Sequence, residues 1–460
     1  MRERINTEGF RKNFPCLFTD SPEIDRAWNL AVDDLLYNTC LFQDGLLTEK
    51  APVMLAGSGY DTPWTRDASI NTWNGAGLLM PEVAKNTLLA VLIKENGKVR
   101  VGGEYWDAII WTVGAWYLWL YTGDRSWYGF MKECTVNSLA FFEETEWDEE
   151  MALFRGPACY GDGIAAYPDR YVTGESGIYS FIRYFPEKCA KKGVGIPLFT
   201  LSTNCLYAES YRLAYQMTGD KTYLEKHTRL LSRINEVFWN KEKGIYDYAV
   251  DAWGREERQE ALGNSFAILF GIADARKSDS ILRNCVISQN GITCLYPTYE
   301  RYLPFGIGRH SGTVWPFAQA FFADAAAKTG RDRFAFELMT LTRNALCSGQ
   351  FAEIYHPETG EPYGGVQEAG GPVSDNWTSV KHQTWSATGY LRMILFDLAG
   401  MKFKEDGICV TPVKIPEVDH LNLRGLKYRD ALISLEITPD GWGKSGWIPA
   451  DAQGDFSLCL

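Results

Sequence analysis

Three stretches of the chain share one grammar: "WLYTGDRSWYGF" at residues 119–130, "YQMTGDKTYLEK" at 215–226 and "AAKTGRDRFAFE" at 326–337. In each, an apolar helical run stops at a glycine: Gly123, Gly219 or Gly330. Glycine takes the left-handed conformation that ends a helix without steric cost. An aspartate follows, Asp124, Asp220 or Asp332, placed to accept from the first free N–H groups of the next helix. Each stretch therefore predicts a tight antiparallel helix pair. Recurrence at about hundred-residue intervals predicts a repeated hairpin architecture.

Outward from these joints, apolar residues recur at three- and four-residue spacing, as in "EVAKNTLLAVLI" (82–93) and "CLYAESYRLAYQM" (205–217). The pattern predicts twelve helices, over 24–40, 67–80, 82–94, 106–121, 126–144, 200–217, 221–239, 258–273, 277–288, 311–328, 332–348 and 383–399. Twelve helices in six hairpins close into a double ring, an all-α (α/α)6 barrel; two separate bundles are the alternative. No linker rich in Ser, Pro or charge divides the chain, which favours the ring. Long polar loops at 145–199, 240–257, 289–310 and 349–382 fall at alternating joints, and so on one face. The last residues, "DGICVTPVKIP" and "LNLRGLKYRDALISLEITPDG", alternate β-branched residues with turn signals. The expected organisation is a catalytic barrel over 1–402 and a small β-rich appendage over 403–460.

Composition narrows the function. The net charge of −12 argues against nucleic acid or an anionic membrane as partner. No apolar run is long enough to span a bilayer, and the N-terminus lacks the apolar core of a secretory signal, so a cytoplasmic location is expected. The 11 cysteines are scattered singly, as reduced thiols are, and the five histidines form no zinc motif; no metal and no cofactor is expected. Oligomeric state is left open. Aromatics make up 14% of the chain, and Trp64, Trp73, Trp106, Trp253 and Trp377 stand in polar, glycine-rich surroundings. An aromatic face beside carboxylates and amides suits a sugar, apolar on its C–H face and polar at its hydroxyls.

Two loops carry carboxylates in places that packing does not explain. "RGPACYGDGIAAYPDRYVTGE" (155–175) holds Asp162, Asp169 and Glu175 among aromatics and glycines; "SGQFAEIYHPETGEPYGG" (348–365) holds Glu353. Glycoside hydrolysis needs two carboxyl groups, one protonated acid and one base or nucleophile. A closed ring brings these two loops together more readily than two bundles do.

In five segments the chain resembles the six-hairpin glycosidases, the clan of processing α-glucosidase I, trehalase, mannosylglycerate hydrolase and the glucosidase domain of glycogen debranching enzyme. "TPWTRDASINTW" (62–73) is similar to the segment that grips the terminal sugar, "GDGIAAYPDR" (161–170) to the one carrying the general acid, and "HSGTVWPFAQAFFADA" (310–325) to a Gly–x–x–Trp–Pro helix start. "AEIYHPETG" (352–360) resembles the general-base segment, and "HQTWSATGYLRMI" (382–394) the helix that closes the ring. The resemblance implies Asp162 as general acid and Glu353 as general base. It departs from the glucosidase I pattern in that four residues separate Asp162 from Tyr167–Pro168, which keeps Asp169 as a rival acid. Arg66 and Asp67 are implied as a hydroxyl-binding pair, against Asp67 as a mere helix cap. Trp64 and Trp315 are implied as sugar contacts, against simple core packing, and His310, before an N-cap at Ser311, as a polar contact. Gln383 and Trp385 either face the pocket or only begin the last helix. Glu104, Trp106 and Asp107 open the helix "EYWDAIIWTVGAWYLW" with a polar start that could face the pocket.

The expectation is an inverting, exo-acting glycoside hydrolase on an α-linked sugar, first an α-glucoside. Tyr160, Tyr167 and tryptophans around Asp162 would raise its pKa by desolvation. The alternatives are an α-L-rhamnosidase-like hydrolase, a disaccharide phosphorylase whose anion site would involve "GRHSGT" (308–313), and a non-catalytic sugar-binding protein on the same ring.

Overall fold

The computed structural model describes residues 3–103, 108–371 and 373–460. Among the described residues, twelve helical segments alternate between an inner and an outer layer, beside short helices at Glu8–Arg11 and Ser180–Tyr184. The inner six are 65–79, Trp111–Thr122, Leu201–Thr218, Ala261–Leu269, Pro316–Thr329 and 384–398; each packs on the next, and the last packs back on the first. The ring is therefore closed. Outside it stand Pro22–Tyr37, Pro81–Ala90, Arg125–Thr145, Lys221–Val237, Ala275–Asn284 and Arg331–Ser348. Sequence dictates the layer. "PFAQAFFADAAAKT" is apolar or small except at Gln319, Asp324 and Lys328 and is buried from Pro316 to Ala327, whereas Lys221–Val237 buries only Leu230, Ile234 and Val237.

Two of the three joints form as their residues predict. Gly123 (φ 67°) and Gly219 (φ 72°) end their helices in the left-handed region. Asp124 accepts from the N–H groups of Ser126 and Trp127, and Asp220 from that of Thr222. The third differs. Gly330 has φ −108° and is itself the residue before Arg331–Ser348; its carbonyl accepts from Arg333 N and Phe334 N, which leaves Asp332 in the first turn with no capping bond. The one-residue insertion between glycine and aspartate shifts the carboxylate past the cap position.

The fold is not all-α. Among the described residues strands form seven sheets, and most of the expected loops contain them. Ile245–Asp251 and Gly254–Glu260 pair as a hairpin that is extended by Leu198–Thr200 and by Leu295–Tyr296, each from another loop. That hairpin takes residues 258–260 from the expected helix 258–273, which runs over Ala261–Leu269 and ends before Gly271 (φ 70°). The C-terminal strands make two sheets, and the N-terminal strand Cys16–Thr19 joins one of them beside Leu421–Tyr428. Its first strand, Met401–Lys404, starts before the expected boundary at 403. Phe403 packs edge-on to Tyr121 and tilted against Phe396 and Tyr428, so one apolar core runs from the ring into the sheets. We propose the division at 402/403 as one of architecture within a continuous core.

Deep in the ring, Arg392 joins three inner helices. Its Nε donates to Asp324 Oδ2 at 3.0 Å, its Nη2 bonds to the same oxygen, and its Nη1 donates to Asn74 Oδ1 at 3.1 Å. The guanidinium lies over the rings of Trp73, Phe321 and Phe396. Widened helical turns at Thr72–Ala76, bent at Gly75 (φ 110°), and at Met393–Leu398 flank it. Burial raises the Asp324 carboxyl pKa, but Arg392 and Lys328 outweigh it and hold the group below its usual range. Burial and the Asp324 charge push neighbouring Asp397 well above its own. Arg392→Leu strands the Asp324 charge in a buried site. Its unfolding free energy, read by tryptophan fluorescence in urea, is expected to fall by about 3–5 kcal/mol.

Candidate active site

Three inner helices begin at one cavity of about 210 Å³. The residues before their first turns are Trp64, Trp315 and Gln383, all in extended conformation and none making a capping bond. Positions that usually carry Ser, Thr, Asp or Asn here carry large side chains that line the cavity instead. Helix 316–329 thus starts at Pro316, after Trp315, and not at a Ser311 cap. Arg66 and Asp67 occupy the first turn of Thr65–Asn71, with Arg66 Nε 4.0 Å from Asp67 Oδ2.

The acid loop is built by its glycines and by Tyr167. A 3-10 turn at Ile164–Ala166 folds Tyr167 back so that its hydroxyl bonds to the Gly161 carbonyl and accepts from Ala158 N. The four-residue separation from Asp162 in sequence thereby closes in space. Ile178 N donates to the Asp162 carbonyl and Ile164 N to that of Ser176, stitching the loop to 176–178. Gly163 packs against His310; a Cβ there would lie 2.2 Å from the imidazole. Asp162 faces the cavity with 39% of its side-chain surface open. Arg66 Nη2 donates to its Oδ2 at 3.0 Å, and His310 Nε2 lies 3.3 Å from its Oδ1.

The second loop brings in Glu353, whose side chain is only 2% exposed. Arg309 Nη2 donates to its Oε2 at 2.6 Å, the Tyr60 hydroxyl to its Oε1 at 2.7 Å, and Val380 N to its Oε2 at 3.4 Å. The cavity therefore holds three carboxylates and two guanidiniums: Arg309 pairs with Glu353, and Arg66 stands between Asp162 and Asp67. Aromatic walls complete it. Trp315 packs edge-on to Trp385 and against His310, and Arg309 lies over Trp315 and Trp377.

The expectation for Asp162's titration is reversed. Burial does push its carboxyl up, but Arg66, the His310 contact and Arg309 pull harder and hold it well below the usual carboxylate range. The aromatic wall was legible in the sequence; the guanidinium, 96 residues away, was not.

The structure brings Trp64, Arg66, Asp67, Asp162, His310, Trp315, Glu353, Gln383 and Trp385 to this one cavity. Asp169 is elsewhere, 78% exposed and paired with Arg301. Glu104, Trp106 and Asp107 lie outside the described residues. Trp73 is core inside the ring, packed against Phe266 and Phe321, and Trp253 is exposed at a hairpin tip. Tyr60, Arg309, Gln367 and Trp377 also line the cavity; sequence reasoning gave none of them a role, although Trp377 stood out for its setting and Arg309 lies in "GRHSGT". Among the described residues Trp64 Nε1, Tyr160 OH, His310 Nδ1, Gln367 Oε1, Gln383 Oε1 and Trp385 Nε1 find no hydrogen-bond partner. So many unsatisfied polar atoms around one cavity fit a polyhydroxylated ligand with bridging water. No group of three His, Cys, Asp or Glu stands close enough to hold a metal ion among the described residues.

Close packing at Gly163 gives a direct test. Gly163→Ala drives a methyl into His310 and is expected to cost about 1–3 kcal/mol. Gly129→Ala, on a helix with nothing within 4 Å of the added Cβ, is expected to stabilise by about 0.4–1 kcal/mol. Thermal and urea unfolding of the two variants measure the contrast.

Residues 202–386 match the family described as the mannosylglycerate hydrolase MGH1-like glycoside hydrolase domain. No curated protein sequence matches the chain. Among solved structures, a sialidase superposes with TM-score 0.71 at 13% identity, over 98% of this chain and 41% of its own. The GH78 family rhamnosidase of a Bacillus species gives 0.57 at 13%, over 97% and 43%. The GH63 mannosylglycerate hydrolase of Thermus thermophilus, in complex with glucose, gives 0.59 at 14%, over 80% of this chain and 100% of its own. The chain thus spans about two fifths of the sialidase and the rhamnosidase. Identities this low carry the likeness of fold alone.

Proposed function

We propose that the chain is a glycoside hydrolase of the six-hairpin clan, inverting and exo-acting on an α-linked sugar, read first as an α-glucoside; the match of residues 202–386 to a glycoside hydrolase family supports the reading. The observation that carries this reading is the pair of loop carboxylates, Asp162 and Glu353, lining a cavity of about 210 Å³. That is below the size of pockets for drug-sized ligands and suits one terminal sugar. Trp64, Trp315 and Trp385 supply apolar faces, and Asp67 with Arg66 takes the hydroxyls.

Asp162 protonates the departing glycosidic oxygen. Glu353, oriented by Arg309 and Tyr60, takes a proton from the water that attacks the anomeric carbon. Inversion requires the two carboxyl groups ~6.5–9.5 Å apart to admit that water. An acid must hold a proton, yet Arg66 holds the Asp162 carboxyl well below its usual range. Substrate binding resolves the conflict if Arg66 turns from Asp162 to a sugar oxygen. Burial, the opposing influence on Asp162, is then left to raise its pKa.

Glu353→Gln keeps the size of the side chain, and its turnover is expected to fall by about 10²–10⁴, the range for a lost general base. Unchanged turnover on a good substrate removes Glu353 from the chemistry. Arg66→Gln takes away the charge that lowers Asp162. A group needed protonated then stays protonated to higher pH, so the basic limb of the kcat/KM profile moves up, by about 1–3 pH units. A limb that stays or moves down rejects Asp162 as the acid.

An α-L-rhamnosidase-like activity is the second reading, favoured by the C-terminal pair of sheets and the fold shared with the Bacillus enzyme. Nitrophenyl α-glucoside, α-mannoside and α-L-rhamnoside, with and without phosphate, separate these readings from each other and from a phosphorylase.

A further inference from the structure

Behind the cavity, outside its lining, one buried carboxylate grips both chain segments that carry its walls. Asp34 sits on the outer helix Pro22–Tyr37 and is 2% exposed. Phe351 N donates to its Oδ2 at 2.6 Å; His382 Nδ1 lies 2.6 Å from its Oδ1. Phe351 is two residues before Glu353, and His382 immediately precedes Gln383. The two segments run side by side. Gln383 N donates to the Phe351 carbonyl at 2.7 Å, Glu353 N to that of Val380 at 2.9 Å, and His382 N to Gln350 Oε1 at 3.2 Å.

His382 is held in a conformation it would not choose. Its φ of 51° is in the left-handed region, which disfavours a residue with a Cβ. Beyond Asp34, its ring packs on Tyr37 with centroids 4.6 Å apart, and Asn38 Nδ2 donates to its carbonyl. All three partners belong to the same outer helix or its last turn. The turn at His382 is what aims the chain into Thr384–Arg392, so that Gln383 and Trp385 reach the cavity.

We propose that Asp34 is a positioning residue: through Phe351 and His382 it sets Glu353 and Gln383 relative to each other. It touches no substrate. The inference rests on the hydrolase reading for its effect on rate, but not for its effect on structure. Misplacement of a catalytic group by about 1 Å costs on the order of 10²-fold in rate. Loss of the grip should therefore appear in kcat more than in KM.

The test uses the full chain with Asp34→Asn, His382→Asn and His382→Gly. Asn adopts the left-handed region more readily than most residues and offers an N–H group toward Asp34; Gly keeps the backbone at ease but reaches nothing. With 4-nitrophenyl α-D-glucopyranoside, His382→Gly is expected to lose on the order of 10²-fold in kcat with KM within about 3-fold, and His382→Asn to recover at least about 10-fold of that. In parallel, amide exchange read by mass spectrometry should rise in peptides covering 349–356 and 378–386 in both Asp34→Asn and His382→Gly, and stay unchanged in 201–218. If His382→Gly matches the unmodified enzyme in kcat and in exchange, the histidine is only a strained turn and the proposal is wrong. If exchange rises in 22–37 alone, Asp34 stabilises its own helix and positions nothing. If the unmodified chain does not turn over the glucoside, the α-glucosidase reading fails, and the exchange pattern alone decides for or against the grip.

Discussion

A buried guanidinium at the axis of a closed helical ring is the constraint on which the rest of this structure depends. Arg392 contacts the helices 65–79, Pro316–Thr329 and 384–398 at once, by two hydrogen bonds to Asp324, one to Asn74 and three ring faces. The same three helices deliver Trp64, Arg66 and Asp67, Trp315, and Gln383 and Trp385 to the cavity. Relative rotation of these helices is thus fixed at one end by a charge that has no other low-energy place to go and is used at the other end to line a site. The widened turns beside Arg392 fit this picture, since a π turn shifts the helix phase and gives the guanidinium room among the helices.

The cavity obeys the same rule in miniature. Buried charges survive only when paired, and the two loop carboxylates here each face an arginine, Arg66 for Asp162 and Arg309 for Glu353. The two pairs differ in what a ligand can do to them. Glu353 is closed in by Arg309, Tyr60 and the Val380 amide. Asp162 keeps more than a third of its side chain open to the cavity. In the proposed function a sugar arriving there competes for Arg66, and the balance between burial and guanidinium at Asp162 shifts with it. In the proposed mechanism Asp162 gains its proton only when substrate is present, which protects it from idle chemistry.

Much of this was legible in the sequence wherever the cause was local. Gly123–Asp124 and Gly219–Asp220 ended and restarted helices as read, because a cap involves neighbours only. Gly330 and Asp332 did not, because one inserted residue moved the carboxylate out of reach. The twelve helices followed from periodicity. The strands did not, since Leu198–Thr200 and Leu295–Tyr296 acquire their conformation from a hairpin contributed by a different loop. The acid loop showed the same limit: Asp162 and Asp169 look alike in sequence, and only the short turn at Ile164–Ala166 sends one to the cavity and the other to solvent and Arg301. Tyr60 carried no local signal and Arg309 only its place in "GRHSGT"; their partner Glu353 is 293 and 44 residues away. A helix beginning with tryptophan where a capping residue is usual, as at Trp64 and Trp315, was the overlooked local clue.

The central claim is that Glu353 directs water, and not itself or phosphate, onto the anomeric carbon. Proton NMR of an α-glucoside digest, recorded within the first minutes and before mutarotation, reads that step directly when run with and without phosphate. The account predicts β-glucose as the first product in both buffers. First-formed α-glucose, or glucose appearing only as its phosphate, contradicts it.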